Sequence, residues 1–116
     1  MVDLDRSISI ATKSGKTEFG MKRAVKAARN GDAMAIVVAA NAPDQMKEDV
    51  LRYASLSEIP VIPYPKSSQD LGIACGRPHL TAFVTIFNAG DSDIMSAVNY
   101  LKLFFKFTVN FSINVL

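Results

Sequence analysis

The 116 residues predict an α/β protein: a three-layer α/β/α sandwich on a mixed central sheet, followed by an apolar C-terminal extension. Three observations lead there. Residues 33–40, AMAIVVAA, form a continuous apolar run with β-branched residues at its centre, the pattern of a strand buried on both faces and covered by helices on each side. Met21, Ala24, Val25 and Ala28 recur at i, i+3, i+4 and i+7, which is one buried face of a helix. Helical and extended segments then alternate along the chain, the order from which such sandwiches are built.

Each element has its own signal. Leu4, Ile8 and Ala11 predict a first helix that ends near Gly15, followed by a short extended piece at Lys16–Glu18. The second helix spans Gly20 to Asn30, with Gly31 placed for a left-handed C-terminal cap. Asn41-Ala42-Pro43 ends the buried strand, and Pro43 suits the first turn of a third helix. Met46, Val50, Tyr53 and Ala54 give that helix its apolar stripe as far as Ser57. Pro60 precedes a strand at Val61–Tyr64, and Ser67-Ser68-Gln69-Asp70 has the form of a capping box opening a short helix that ends at Gly76. Thr81–Phe87 reads as a fourth strand and Asn88–Asp93 as a polar loop.

Residues 1–95 therefore form one domain, and residues 96–116 an extension. In the extension, a short helix around Ser96–Phe105 is expected ahead of a strand, because apolar residues alternate with Thr108, Asn110, Ser112 and Asn114. An unpaired strand of that kind invites aggregation, so it is expected to pack on the domain or on a partner.

Composition narrows the function. A hydrophobic fraction of 49% with 21% charged residues describes a folded globular chain. There is no basic-then-apolar leader pattern, a single cysteine (Cys75), and no apolar run near the roughly 20 residues that a spanning helix requires. The expectation is a soluble, cytoplasmic protein without membrane contact.

Catalytic and cofactor chemistry finds little support. Gly15-Lys16-Thr17 looks like the tail of a phosphate-binding loop, but that motif needs a glycine five residues earlier, after a strand. Position 10 is Ile10, within the first helix. Cys75 and His79 are the only soft metal ligands and lack a third partner. As a nucleophile–base pair they are no better, since Cys75 ends the apolar turn LGIAC, where an inert buried thiol is expected. Glu48 and Asp49 fall on the solvent side of a helix. Neither an enzyme, a metal, a cofactor nor a small-molecule substrate is expected.

Charge is more informative. The net charge is only +2, yet residues 12–31 carry Lys13, Lys16, Lys22, Arg23, Lys26 and Arg29 against Glu18 alone. A local basic segment on a mildly acidic body points to an anionic partner, although a solvated helix face would show the same charges. Lys22, Lys26 and Arg29 fall at i, i+4 and i+7, opposite Met21, Val25 and Ala28, so a buried side is backed by a row of cations. Gly20 lets backbone approach a ligand and leaves amide groups for a phosphate. Asn41, after the buried strand, offers donor and acceptor to a base edge, or else caps the helix beside Pro43. Arg77, Pro78 and His79 precede the last strand, with Arg77 available to a phosphate and the His79 ring to an unpaired base.

In order and spacing, SGKTEFGMK, VVAANAP, EDVLRYASLSEIPV, LGIACGRPH and NAGDSDIM resemble the L30e ribosomal protein family, a branch of the L7Ae superfamily of kink-turn RNA binders. The similarity covers about residues 3–95, and the GRPH form looks archaeal. The resemblance implies an α/β/α sandwich in the large ribosomal subunit, with ribosomal RNA and neighbouring ribosomal proteins as partners. By the same resemblance, RNA contacts fall on Phe19, Gly20 and Lys22, on Asn41, and on Pro78 and His79. Arg23 and Lys26 are added from the helical wheel, and Arg77 from its place in the loop. Small nucleolar relatives carry Asn-Glu where this chain has Lys22-Arg23, which favours the ribosomal branch over a stand-alone guide-RNA protein. The extension has no counterpart in the family pattern; a protein–protein role through it is the remaining alternative.

Overall fold

The computed structural model describes residues 4–95. The helix and strand expected in the extension lie outside the described residues. Eight elements follow in order: α1 (Leu4–Ser14), β1 (Lys16–Phe19), α2 (Met21–Asn30), β2 (Ala35–Ala39), α3 (Asp44–Leu56), β3 (Val61–Tyr64), α4 (Ser68–Ala74) and β4 (Phe83–Asn88). The strands form one mixed sheet in the order β1-β4-β2-β3, with β4 antiparallel to both neighbours and β2 parallel to β3.

Alternation along β2 divides the core into two layers. Ala35, Val37 and Ala39 join Ile62, Tyr64, Val84 and Ile86 against Ile8 of α1 and Leu71 of α4. Ile36 and Val38 join Phe83 against Ala24 and Ala28 of α2 and Val50 and Ala54 of α3. All five residues of β2 are buried, as its unbroken apolar sequence requires. The result is the expected three-layer sandwich.

Local signals account for most boundaries. Gly31 takes φ 72° and its N–H donates to the Ala27 carbonyl, closing α2 as a left-handed cap. The Ser67 hydroxyl accepts from the Asp70 N–H at 3.4 Å, opening α4. Gly15-Lys16-Thr17 turns the chain from α1 into β1. The Gly15 N–H bonds the Ala11 carbonyl, and a Cβ there would lie 1.9 Å from the Asn88 carbonyl oxygen, so only glycine fits.

Three expectations shift. β4 begins at Phe83 rather than Thr81, because the Thr81 N–H donates to the Ser68 carbonyl and its hydroxyl to the His79 carbonyl, holding it in the preceding turn. Pro43 caps α3 from outside, with φ −57° and ψ 136°, instead of sitting in its first turn. The buried face of α2 is Ala24, Ala27 and Ala28, while Met21 and Val25 are half-buried at its flank, because only the small residues can approach the sheet closely.

Candidate nucleic-acid interface

Strand directions decide where loops gather. β1, β2 and β3 all end at the sheet edge where β4 begins. The β1–α2 junction, the β2–α3 turn, the β3–α4 turn and the α4–β4 loop therefore meet there. Backbone bonds lace them together: Gly20 N–H to the Phe83 carbonyl at 3.1 Å, Ala39 N–H to Ala82 at 2.8 Å, Ala40 N–H to Lys66 at 3.0 Å, and Thr81 N–H to Ser68 at 3.1 Å. Three loops at the carboxyl ends of strands and one at the start of β4, held this firmly, make a rigid candidate surface.

At the first junction, Gly20 takes φ 101° and ψ 161°, a conformation open essentially to glycine alone, and none of the described residues lies within 4 Å of where a Cβ would stand. The backbone is bare there and a ligand can come close. Its own N–H is not free, however, because it is bound to Phe83. Among the described residues no side chain caps the start of α2, so the first-turn amides keep their capacity. Lys22 and Lys26 are exposed on the helix face that points away from the sheet. Arg23 diverges from them and pairs with Glu18 at 3.8 Å, which leaves it less charge to offer.

Asn41 is exposed, and its Oδ1 accepts from the Ser68 N–H at 2.7 Å. The partner is an N–H, so the amide oxygen must face it, and both N–H donors turn outward. Asn41 therefore caps α4, across the sheet edge, and not α3 as its sequence position suggests. Its offer to a base edge is mainly that of a donor.

The α4–β4 loop supplies the rest. The Arg77 guanidinium lies 4.2 Å from the centre of the Phe19 ring, within cation–π range, so these two predicted residues touch one another. Pro78 and His79 are exposed. The His79 carbonyl packs on Gly72 of α4, where a Cβ would sit 2.3 Å from that oxygen. Leu80, absent from the predicted set, is 73% exposed beside His79, and Ile73 on α4 is 66% exposed. Neither carries a periodic signal in the sequence, since Leu80 lies in the turn before β4 and the 7 residues of α4, which hold Ile73, are too few to show one.

Cys75 and His79 do not form a reactive pair. Cys75 is buried and burial pushes its thiol pKa up, which makes it inert, while His79 faces solvent. Among the described residues, no group of three or more His, Cys, Asp or Glu side chains converges, and no helix is long and apolar enough to cross a membrane.

Comparison with known proteins agrees with this architecture. A profile of the ribosomal protein L7Ae/L30e/S12e/Gadd45 family matches residues 3–96. The chain belongs to that family. Relatives within it include the large ribosomal subunit protein eL30 of Methanopyrus kandleri, 37% identical over 98 residues that cover 84% of this chain and 90% of the relative. The eL30 of Methanothermobacter thermautotrophicus is 38% identical over 97 residues, covering 84% and 99%. The L7Ae/L30e fold also appears in a Bacillus halodurans protein of unknown function, with a TM-score of 0.72 at 23% identity over 84% of this chain and 97% of that one. The Giardia lamblia 15.5kD RNA binding protein matches with a TM-score of 0.61 at 21% identity over 82% and 77%.

Proposed function

We propose that this protein is a structural constituent of the large ribosomal subunit, in the cytoplasm, and that it holds a kinked or internal-loop segment of ribosomal RNA at the loop edge of its sheet. Neighbouring ribosomal proteins complete its surroundings. Membership of the L7Ae/L30e family and the eL30 identity of its relatives support the ribosomal setting.

The observation that carries the RNA reading is the convergence of Gly20, Lys22, Asn41 and His79 on one laced edge. Lys22 and Lys26 neutralise phosphates and position the RNA, which sets affinity without reading sequence. The outward Asn41 amide donates to a base edge. The His79 ring and the Leu80 side chain lie against bases that a duplex would hide, a contact open only in bulges and internal loops. A rigid cradle of this kind selects RNA shape; it performs no chemistry on its ligand.

The test has two parts. In a cell extract the protein should sediment with the large subunit and be released by high salt. In isolation, affinity for a kink-turn RNA should exceed that for a plain duplex, and its logarithm should fall linearly with the logarithm of salt concentration. Equal affinity for both RNAs would overturn the internal-loop reading, and absence from the subunit fraction the ribosomal one.

A further inference from the structure

The turn that carries Asn41 is held from several sides. Ala40 lies just beyond the parallel pairing of β2 with β3, which ends with Ala39 opposite Tyr64, and it is exposed. Both of its backbone groups are nevertheless taken. Its N–H donates to the Lys66 carbonyl of the β3–α4 turn at 3.0 Å. Its carbonyl accepts from the Lys47 ammonium, one turn into α3, at 2.7 Å. Lys47 is half-buried, and among the described residues no carboxylate pairs with it. It ends the first turn of α3, where the helix dipole favours anions over cations, so the helix itself gives no reason for a lysine there. Holding so long a side chain costs entropy that one surface hydrogen bond barely offsets. The bond therefore adds little to the fold, and its effect is local.

We propose that Lys47 is a positioning residue for the loop edge: by holding the Ala40 carbonyl it fixes the peptide plane from which Asn41 departs, so that the outward amide meets a base edge in one orientation. The inference rests on the base contact proposed for Asn41. The Ala40 carbonyl and the Asn41 N–H belong to one planar peptide, so a bond that fixes the oxygen fixes the whole unit. Ser68 holds the other end, at Asn41 Oδ1, but a single bond there leaves the residue free to swing about it. With backbone and side chain both anchored, the two remaining N–H donors keep one direction. Direction matters because a hydrogen bond weakens steeply as its angle falls. The ammonium suits this task, since a charged donor on a carbonyl makes a stronger bond than a neutral one.

The experiment uses the full chain, a kink-turn RNA and a plain duplex. Lys47→Met keeps the stem of the side chain and removes the ammonium. It should weaken the kink-turn RNA about fivefold, with plain-duplex affinity and the salt slope nearly those of the parent. Lys47→Arg, which restores a charged donor, should recover most of the loss. In an Asn41→Ala background, Lys47→Met should cost almost nothing further, because the residue it positions is gone. A second readout needs no RNA. Amide hydrogen exchange at Ser68, whose N–H is held by Asn41, should quicken in Lys47→Met, while that at Gly20, tied to Phe83, stays as in the parent. Parental affinity in Lys47→Met, or the full loss repeated in the Asn41→Ala background, overturns the proposal. So does a salt slope lowered by nearly one, the mark of a direct phosphate contact. Unaltered exchange at Ser68 overturns the positioning role whatever the RNA does. A parent chain that binds the kink-turn RNA no better than the duplex overturns the loop-edge reading, and the proposal with it.

Discussion

The bond from Asn41 to α4 and the RNA contact proposed for it can be separated by a single substitution. The Asn41 Oδ1 accepts from the Ser68 N–H at 2.7 Å, and Ser68 is only 9% exposed, so water cannot fully replace a lost acceptor. Asn41→Ala removes both the cap and the RNA donors. The cap loss alone should cost about 1 kcal/mol, or about 4–8 °C in Tm for a domain near 100 residues. Asn41→Asp keeps an oxygen on the Ser68 N–H and adds a negative charge at the start of α4, worth roughly 0.3–1 kcal/mol in favour of the fold. It also deletes both outward donors and sets a carboxylate against the RNA. Losing a base-edge hydrogen bond costs about 1–3 kcal/mol, which with charge repulsion gives a loss of about tenfold or more. Thermal melting and binding to bulged and plain duplex RNA should therefore part company. Asn41→Asp should melt at or above the parent temperature and bind the bulged RNA poorly, with a smaller loss on plain duplex. Wild-type affinity in Asn41→Asp, or a melting temperature as low as that of Asn41→Ala, would refute this division of labour.

Arg77 offers a second dissection. Stacked on Phe19, it should act by fixing the junction more than by meeting a phosphate, so Arg77→Ala and Phe19→Ala should each weaken RNA binding about fivefold, the worth of a contact of about 1 kcal/mol. The double variant should lose little more, and a salt slope lowered by nearly one in Arg77→Ala would instead mark it as a phosphate clamp. Thr85, fully buried in β4, has a hydroxyl with no hydrogen-bond partner among the described residues. Thr85→Val keeps the shape and removes that cost, so stability in urea should rise by about 1 kcal/mol, and a fall of that size would contradict the assignment. The acid limb of stability should involve Asp5. Bonds from the Lys66 ammonium and the Tyr64 hydroxyl hold its carboxyl below the usual range. Its contribution is complete above the unfolded value near 4 and is lost as pH falls through the lower folded value. Asp5→Asn should flatten that limb by less than about 1 kcal/mol, because the carboxylate is 43% exposed. Tyr64 behaves in the opposite sense. Burial first, and its bond to Asp5 second, push its pKa up, so its contribution is lost only at strongly alkaline pH.

Much of the fold was legible because burial leaves a periodic trace. Continuous apolar residues marked β2, glycine marked the end of α2, and the Ser67 box marked the start of α4. What escaped notice depends on partners distant in the chain. Asn41 stands two residues before Pro43, so a local reading assigns it to α3, but its acceptor serves Ser68, 27 residues on. Arg77 and Phe19 are likewise far apart in the chain and share a ring contact that no spacing announces. Gly72 lies within α4, and only the His79 carbonyl above it explains the missing side chain. The candidate site residues could be named from the sequence, whereas which of them hold one another could not.

The position of β4 has a consequence for synthesis. It is the last strand made among the described elements, yet it lies inside the sheet, between β1 and β2. A nascent chain that stops short of Phe83 leaves β1 with no strand to pair with, and Gly20 loses its tie to that residue. Folding must therefore wait for a contact of long sequence separation, a slow step by topology. The edge that would grip RNA comes together only at the end of that wait. Prematurely terminated chains carry the basic helix but lack the frame that aims it, so they make poor competitors for the RNA site of the finished protein.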